Sequence, residues 1–507
     1  VDAPLLTLLV VVPLLGALAV AAVPRGRETL AKQLALGVSL LTLGLAIATA
    51  LAFDLGGPQY QLTEQVPWIP QLGVSWSLGL TGISLALVCL TAVATPVVLG
   101  AMWHEADDSE YRVSTYYALV LALAGMTIGA FLATDVLLFY ILFEAMLLPM
   151  YFVIGLYGGP RRQYAAVKFL LYNLLGGLLM LAAVIGLYLQ APAGERTFAL
   201  ADLVAVDIPE GTQTWLFLGF MIAFAIKAPL WPFHTWLPDA AAEAPPSQAA
   251  YLSGVVDKVG TFGMVALVLP LFPEATATFA PVLVGLAVVS ILYGGLLAIG
   301  QADLKRLVAF TSISHFGVIV LGIFALTTQA TTGSTFYMVT HGFSTAALFL
   351  AVGALIARGG SRQVADYGGV QKPAPVLAGF LLVAGLSGLA LPGLGTFVSE
   401  ILVLLGTFSR YQVAAVLATL GIILAALYIL LMYQRTMTGP TTERTAGFQD
   451  LRGREVVVLA PLVALLLVLG VLPGPVLEVV EHGTVETLAE VGVTDPAPVL
   501  VAEGSTP

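Results

Sequence analysis

The sequence predicts an all-α polytopic membrane protein of about 14 transmembrane helices. Within it, two inverted five-helix repeats each hold one broken helix. Three observations lead there. Of 507 residues, 59% are hydrophobic and only 10% charged, where soluble domains carry about 25% charged residues. Apolar runs near the roughly 20 residues needed to cross a bilayer recur along the whole chain. The basic residues, finally, crowd into alternate loops between those runs.

In order, the runs are 3–22, 30–53, 78–102, 112–133, 134–158, 163–190, 213–237, 247–272, 275–300, 303–327, 333–357, 374–408, 411–435 and 454–478. The first lacks a basic leading region, and its basic flank, Arg25 and Arg27, follows it. It therefore reads as a retained span and not as a cleaved leader. Lys32 lies just beyond that flank. Arg161, Arg162 and Lys168 follow the fifth span, Lys305 and Arg306 the ninth, and Arg358, Arg362 and Lys372 the eleventh. Arg435, Arg444, Arg452 and Arg454 follow the thirteenth, while the opposite loops hold Arg196 and Arg410. By the positive-inside rule, loops after odd-numbered spans are cytoplasmic. Both termini then lie outside, the acidic tail from Glu478 onward included. The loop at 103–112 runs against the pattern, with Glu105, Asp107, Asp108 and Glu110 against Arg112, but acids weigh little in this rule.

Proline inside a helix removes a backbone hydrogen bond and clashes with the preceding turn. Pro229 and Pro232 should therefore break the seventh span, and Pro392, Gly393 and Gly395 the twelfth. Broken backbone survives in a membrane only where protein buries it or a wet cavity lines it. The two breaks lie five spans apart, and repeating five helices inverts the second copy, as in many ion transporters. The expected divisions are 1–110 (spans 1–3), 111–272 (first unit, spans 4–8), 273–435 (second unit, spans 9–13) and 436–507 (cytoplasmic loop, last span, acidic tail).

Six ionisable residues fall well inside spans: Glu144, Lys227, Lys258, His315, His341 and Glu400. A lysine near the bilayer centre costs roughly 2.5–3.5 kcal/mol on insertion scales, so such residues usually face a bundle interior or a cavity and act there. Each has a bland alternative. Glu144 and Glu400 could be structural, Lys227 could pair statically with Glu144, and His315 and His341 could be hydrogen-bonded packing residues. Lys258 has Asp257 beside it, but adjacent residues do not share a helix face. The residue types nonetheless suit proton transfer. Low dielectric penalises a charged lysine and a nearby carboxylate restores it, while histidine shuttles protons near neutrality. Placed near mid-span in successive helices, the six suggest a row along the membrane plane.

Asp135, Arg162 and Lys168 read as anchors or entrance charges. Pro238, Asp239, Glu243, Pro245 and Pro246 read as a polar surface turn, with His234 near the cytoplasmic end as a gate. Trp68, Trp103, Trp231, Trp236 and Tyr433 read as interfacial belt. The single cysteine, Cys89, can build neither a disulfide nor an iron–sulfur cluster. There is no phosphate-binding loop, zinc spacing or dinucleotide fingerprint, so any redox centres belong to other chains.

Several stretches resemble the signatures of the antiporter-like subunits of respiratory complex I. They are KAPLWPFHTWLPDA (Lys227–Ala240), EAP at Glu243–Pro245, the lysine helix at Gly254–Gly263, DLKRLVAFTSISHFG (Asp303–Gly317), HGFSTAALFLAVG (His341–Gly353) and LPGLGTFVSE (Leu391–Glu400). The resemblance covers nearly the whole chain. Within the family, the Asp135–Met150 stretch and the acid at Glu400 separate it from chains L and N and from cation/proton antiporter subunits, which generally use lysine at the latter position. The resemblance implies a proton channel of two inverted units in the membrane arm of an NADH–quinone oxidoreductase. Glu144 and Lys227 would be its coupled pair, Lys258 its central relay and Glu400 its exit-side station. It implies a bacterial plasma-membrane location, chains L and N as neighbours, contact with lipid and none with nucleic acid. It also implies no cofactor in this chain, with FMN, iron–sulfur clusters and quinone in partner subunits. The alternatives are a subunit of a cation/proton antiporter or of a membrane-bound hydrogenase complex. One departure stands out: the family usually has histidine where this chain has Ala241.

Overall fold

A computed structural model describes residues 4–496. The end of the expected acidic tail, 497–507, lies outside the described residues, as does the first residue of the first expected span. The chain runs α1 (Leu5–Ala21), α2 (Glu28–Ala52), a hairpin of β1 (Gln61–Ile69) and β2 (Val74–Leu80), α3 (Gly82–Ala101) and α4 (Val113–Leu132). There follow α5 (Val136–Ala145), α6 (Leu147–Tyr157), α7 (Arg162–Gln190), the short α8 (Leu200–Val204) and α9 (Glu210–Lys227). Next come α10 (Leu237–Glu243), α11 (Pro246–Tyr251), α12 (Lys258–Gly263), α13 (Leu269–Leu271), α14 (Pro273–Ile299), α15 (Leu304–Phe324) and α16 (Thr328–Gly359). The last are α17 (Pro375–Gly388), α18 (Gly395–Phe408), α19 (Gln412–Met437), α20 (Arg454–Val471) and α21 (Gly474–Val491).

Among the described residues, 11 helical segments are long and apolar enough to cross a membrane. The three remaining expected spans are α1, which is shorter, and the two that break: α9 with α10, and α17 with α18. The protein is an all-α polytopic membrane protein. Two local readings change. The third span starts later than expected, because 74–80 pairs antiparallel with 61–69 across a turn at Gly73, whose φ of 70° suits glycine. Glu64 in that hairpin accepts the Leu6 and Thr7 amides at 2.8 and 2.9 Å, satisfying free donors at the start of α1. Much of the stretch from Glu478 onward, read as tail, is α21, which packs against α3 and α16.

The two five-helix stretches share a local device. Asp135 caps α5 by accepting the Leu137 and Leu138 amides, and Asp303 caps α15 through Lys305 and Arg306. Each capped start is stitched to the segment after the next long helix by two backbone bonds. Val136 N donates to Phe198 O and Leu200 N to Thr134 O in the first stretch; Leu304 N donates to Arg362 O and Val364 N to Ala302 O in the second. These starts follow an even-numbered and an odd-numbered span respectively, so the same stitch sits at opposite ends of the bundle.

Ion pairs draw the odd-numbered loops onto one face. Lys32 pairs with Asp107, Lys168 and Arg306 with Asp239, Arg362 with Glu243 and Asp303, and Arg358 with Glu455. The acids of loop 103–112 find work here too: Glu105 accepts from Ser247 and Tyr116.

Candidate functional site

The first break begins where α9 ends, at Lys227. Pro229 and Pro232 offer no amide, and the freed carbonyls are taken up locally. Ala225 O accepts Leu230 N at 3.0 Å, and Ile226 O accepts the Trp236 indole N–H at 2.9 Å. Trp236 is fully buried. It closes the broken helix and is no interfacial anchor, because its one donor is needed inside. Lys227 sits at a helix C-terminus, where unpaired carbonyls favour a cation. Its Nζ has no hydrogen-bond partner among the described residues and lies 5.4 and 5.9 Å from the ring centroids of Phe143 and Phe169.

Glu144, near the end of α5, sets its carboxylate against Gly177 of α7; a Cβ there would lie 1.8 Å from Oε1. That oxygen has no protein partner either. Glu144 and Lys227 are within electrostatic reach of one another. Among the described residues they form no ion pair, so the expected coupled pair is not a direct contact.

Between α11 and α13 the helix winds loosely, with π-type stretches at Leu252–Val256 and Met264–Val268 on either side of α12. Such stretches are frequent at functional sites. Within the first, Ser253 O accepts Lys258 Nζ at 2.6 Å. The same Nζ lies 2.8 Å from His341 Nδ1 on α16 and 4.5 Å from the Phe316 centroid.

From there hydrogen bonds at the two ends, joined by packed aromatic and imidazole rings, run through the second stretch. Thr345 Oγ1 lies 2.9 Å from His341 Nε2. The His315 and His341 rings are 5.2 Å apart, and Tyr337 stands 5.9 Å from His315 and 6.0 Å from His341. Tyr337 donates its hydroxyl to Glu400 Oε1 at 2.6 Å. His315 Nε2 donates to Gly388 O at 2.9 Å. That carbonyl ends α17 at the second break, where Leu391 N bonds Leu386 O and Thr396 Oγ1 bonds Ser387 O. A cavity of about 10 Å³ lined by Ser314, His315, Glu400 and Tyr428 adjoins this end, about the space of one water.

All six expected residues thus lie in the interior: five are nearly or fully buried, and Glu144 is partly so. The structure joins Lys258, His341, His315 and Glu400 through direct contacts and Tyr337. It does not join Glu144 or Lys227 to them by any hydrogen bond. Sequence reasoning missed Tyr337, although Tyr337, His341 and Thr345 follow each other at the i, i+4 spacing of one helix face. It also set aside Asp257, which is fully buried.

The polar turn between the breaks is not a surface loop. Residues 237–243 form α10, with Leu237, Pro238, Ala240, Ala241, Ala242 and Glu243 buried. Burial works to raise the Asp239 carboxyl, but the Lys168 and Arg306 cations beside it outweigh that and hold it below the usual carboxylate range. Glu105 keeps an exposed surface, yet the protein packed around its carboxyl pushes it above that range despite its bonds to Ser247 and Tyr116. His234 is also buried, edge-on to Tyr293 at 5.1 Å, with Nδ1 unpartnered among the described residues. Ala241 is wholly buried and offers no titrating group at the family's histidine position.

Fourteen spans, two of them interrupted at matching places, with ionisable side chains gathered at the interruptions, define a transporter-like membrane subunit. A family model described as "NADH:quinone oxidoreductase/Mrp antiporter, TM" matches residues 133–425, and the chain belongs to that family. It is 49% identical to "NADH-quinone oxidoreductase subunit M" of Mycobacterium tuberculosis, over 98% of this chain and 96% of the relative. It is 38% identical to the protein of that name from Rhodobacter capsulatus, over 94% of each. Among solved structures, a chain of "Respiratory complex I from Thermus thermophilus with bound NADH" superposes with a TM-score of 0.88 at 33% identity, over 96% of this chain and 100% of that one. A chain of the "Mrp complex from Dietzia sp. DQ12-45-1b" shares the fold, with a TM-score of 0.83 at 24% identity, over 96% of this chain and 99% of that one.

Proposed function

We propose that this chain is the M-type, proton-translocating subunit in the membrane arm of a bacterial NADH–quinone oxidoreductase. Electron transfer through FMN, iron–sulfur clusters and quinone belongs to partner subunits, and this chain uses the energy they release. Chains L and N are its neighbours in the plasma membrane. The odd-numbered loops face the cytoplasm and both termini face outward. Glu144 and Lys227 form the entry end of the relay, Lys258 its centre, His341 and His315 its shuttles and Glu400 its exit end. The two five-helix units are residues 111–272 and 273–435.

One observation carries this reading: the buried row of titratable side chains from Lys258 through His341 and Tyr337 to Glu400, hydrogen-bonded at its two ends and ring-packed between. Apolar helices have no packing need for such a line, and ionisable groups inside a membrane mark proton and ion pathways. The 49% identity to a subunit M relative supports the redox-driven pump over an antiporter, while the Mrp likeness speaks to fold alone.

The test is Lys258→Met in the assembled complex, in inverted membrane vesicles. NADH-driven acidification should fall about a hundredfold, the lower end of what a positioned acid or base contributes. Undiminished pumping would leave only a scaffold. A chain that co-purifies without flavin and iron–sulfur subunits and exchanges cations for protons would instead be an antiporter subunit.

A further inference from the structure

Asp257 is fully buried, and neither of its carboxylate oxygens has a partner among the described residues. An unpaired buried charge is costly, so a chain that keeps one uses it or pairs it at another moment. Its position follows from the helix it occupies. Residues three or four apart share a helix face. Asp257 therefore shares a face with Gly260, and a Cβ on Gly260 would lie 2.8 Å from Ala228 N and 2.9 Å from Phe224 O. Those atoms flank Lys227 at the first break. Lys258 reaches the other way, its Nζ lying 2.8 Å from His341 Nδ1 on α16. One helix thus turns an acid toward the first unit and a base toward the second. Asp257 is within electrostatic reach of both Lys227 and Lys258.

We infer that Asp257 is the proton station between the two lysines of the first unit, receiving from Lys227 and delivering to Lys258. In the first step the Lys227 ammonium breaks an N–H bond and the Asp257 carboxylate gains an O–H, leaving a neutral amine and a neutral acid. In the second, the acid loses that proton to the neutral Lys258 amine, which restores the carboxylate and leaves Lys258 charged beside His341. Charge and atoms balance at each step, and no oxidant or reductant is needed. Since no protein hydrogen bond spans either gap, water carries each hop. This role rests on the proton-translocating reading above.

The experiment compares Asp257→Asn and Asp257→Glu with Lys258→Met in assembled complex, reading protons taken up per NADH oxidised. Asp257→Asn should lower that ratio about tenfold, while Asp257→Glu keeps about half or more, because an acid remains. A merely structural role predicts the reverse order, since asparagine keeps the shape and glutamate does not. If Asp257→Asn pumps normally while Lys258→Met does not, the station is wrong and the functional reading stands. If both pump normally, the functional reading itself fails. Should Asp257→Asn not assemble, dicyclohexylcarbodiimide on the wild-type complex decides, since it labels protonated carboxyls in apolar surroundings. Mass spectrometry should find adducts at Asp257 as well as at Glu144 and Glu400; an unlabelled Asp257 overturns the proposal.

Discussion

The two five-helix stretches are built alike and wired differently. Both start a helix with an aspartate cap and stitch that start to a later loop. Each breaks one helix beside an ionisable residue. In the first, the break leaves Lys227 at the end of the leading half, and Glu144, Lys227 and Asp257 all hold polar atoms without protein partners. In the second, Glu400 lies in the trailing half and bonds Tyr337, whose ring packs with those of His315 and His341 toward Lys258, leaving His315 Nδ1 as the unpartnered atom of that set. A common scaffold can therefore hold either loose charges, which need mobile water between them, or side chains already in contact. The loose half can be re-paired by a small movement. The tied half transmits only through the geometry it has.

The largest expected difference comes from shortening an acid on each side. Glu400→Asp withdraws the carboxylate from Tyr337 and should lower NADH-driven pumping about fivefold, less than the roughly hundredfold of a lost acid because a carboxyl remains. Glu144→Asp has no fixed bond to lose and should stay within about twofold. Equal losses in the vesicle assay would erase the distinction between tied and loose halves.

Removing a cap should matter less. Asp135→Ala and Asp303→Ala should each cost about 1 kcal/mol of helix stability. Asp303→Ala should be the worse, since it also releases Arg362 at 3.2 Å; thermal melting of the purified complex checks the order. The smallest effect is one of pH. Because the Asp239 carboxyl is held below its ordinary range, it adds stability that is fully present above about pH 4. That stability is lost as pH falls through the depressed value. Asp239→Asn should flatten that acid limb of the melting curve and leave the neutral side less stable.

How much could be read in advance differed by the range of the interaction. Spans and breaks follow from local composition, so Pro229, Pro232 and Pro392 announced the interruptions and the six midline groups were visible as charges in apolar runs. Contacts between distant segments were not. Asp239 and Glu243 look like surface residues until Lys168, Arg306 and Arg362 arrive from other helices. Trp236 looks like a belt residue until the proline-broken α9 leaves Ile226 O needing a donor. Asp257 was discounted because it cannot share a face with Lys258. That was true, and it is why Asp257 faces Lys227 while Lys258 faces the second unit.

The most direct test is a map of the assembled membrane arm fine enough to place ordered waters. Hydrated links joining Glu144, Lys227 and Asp257, continuous with the side-chain contacts from Lys258 to Glu400, are the predicted result. Apolar side chains filling the space between Lys227 and Lys258, with no water reaching either amine, would contradict it.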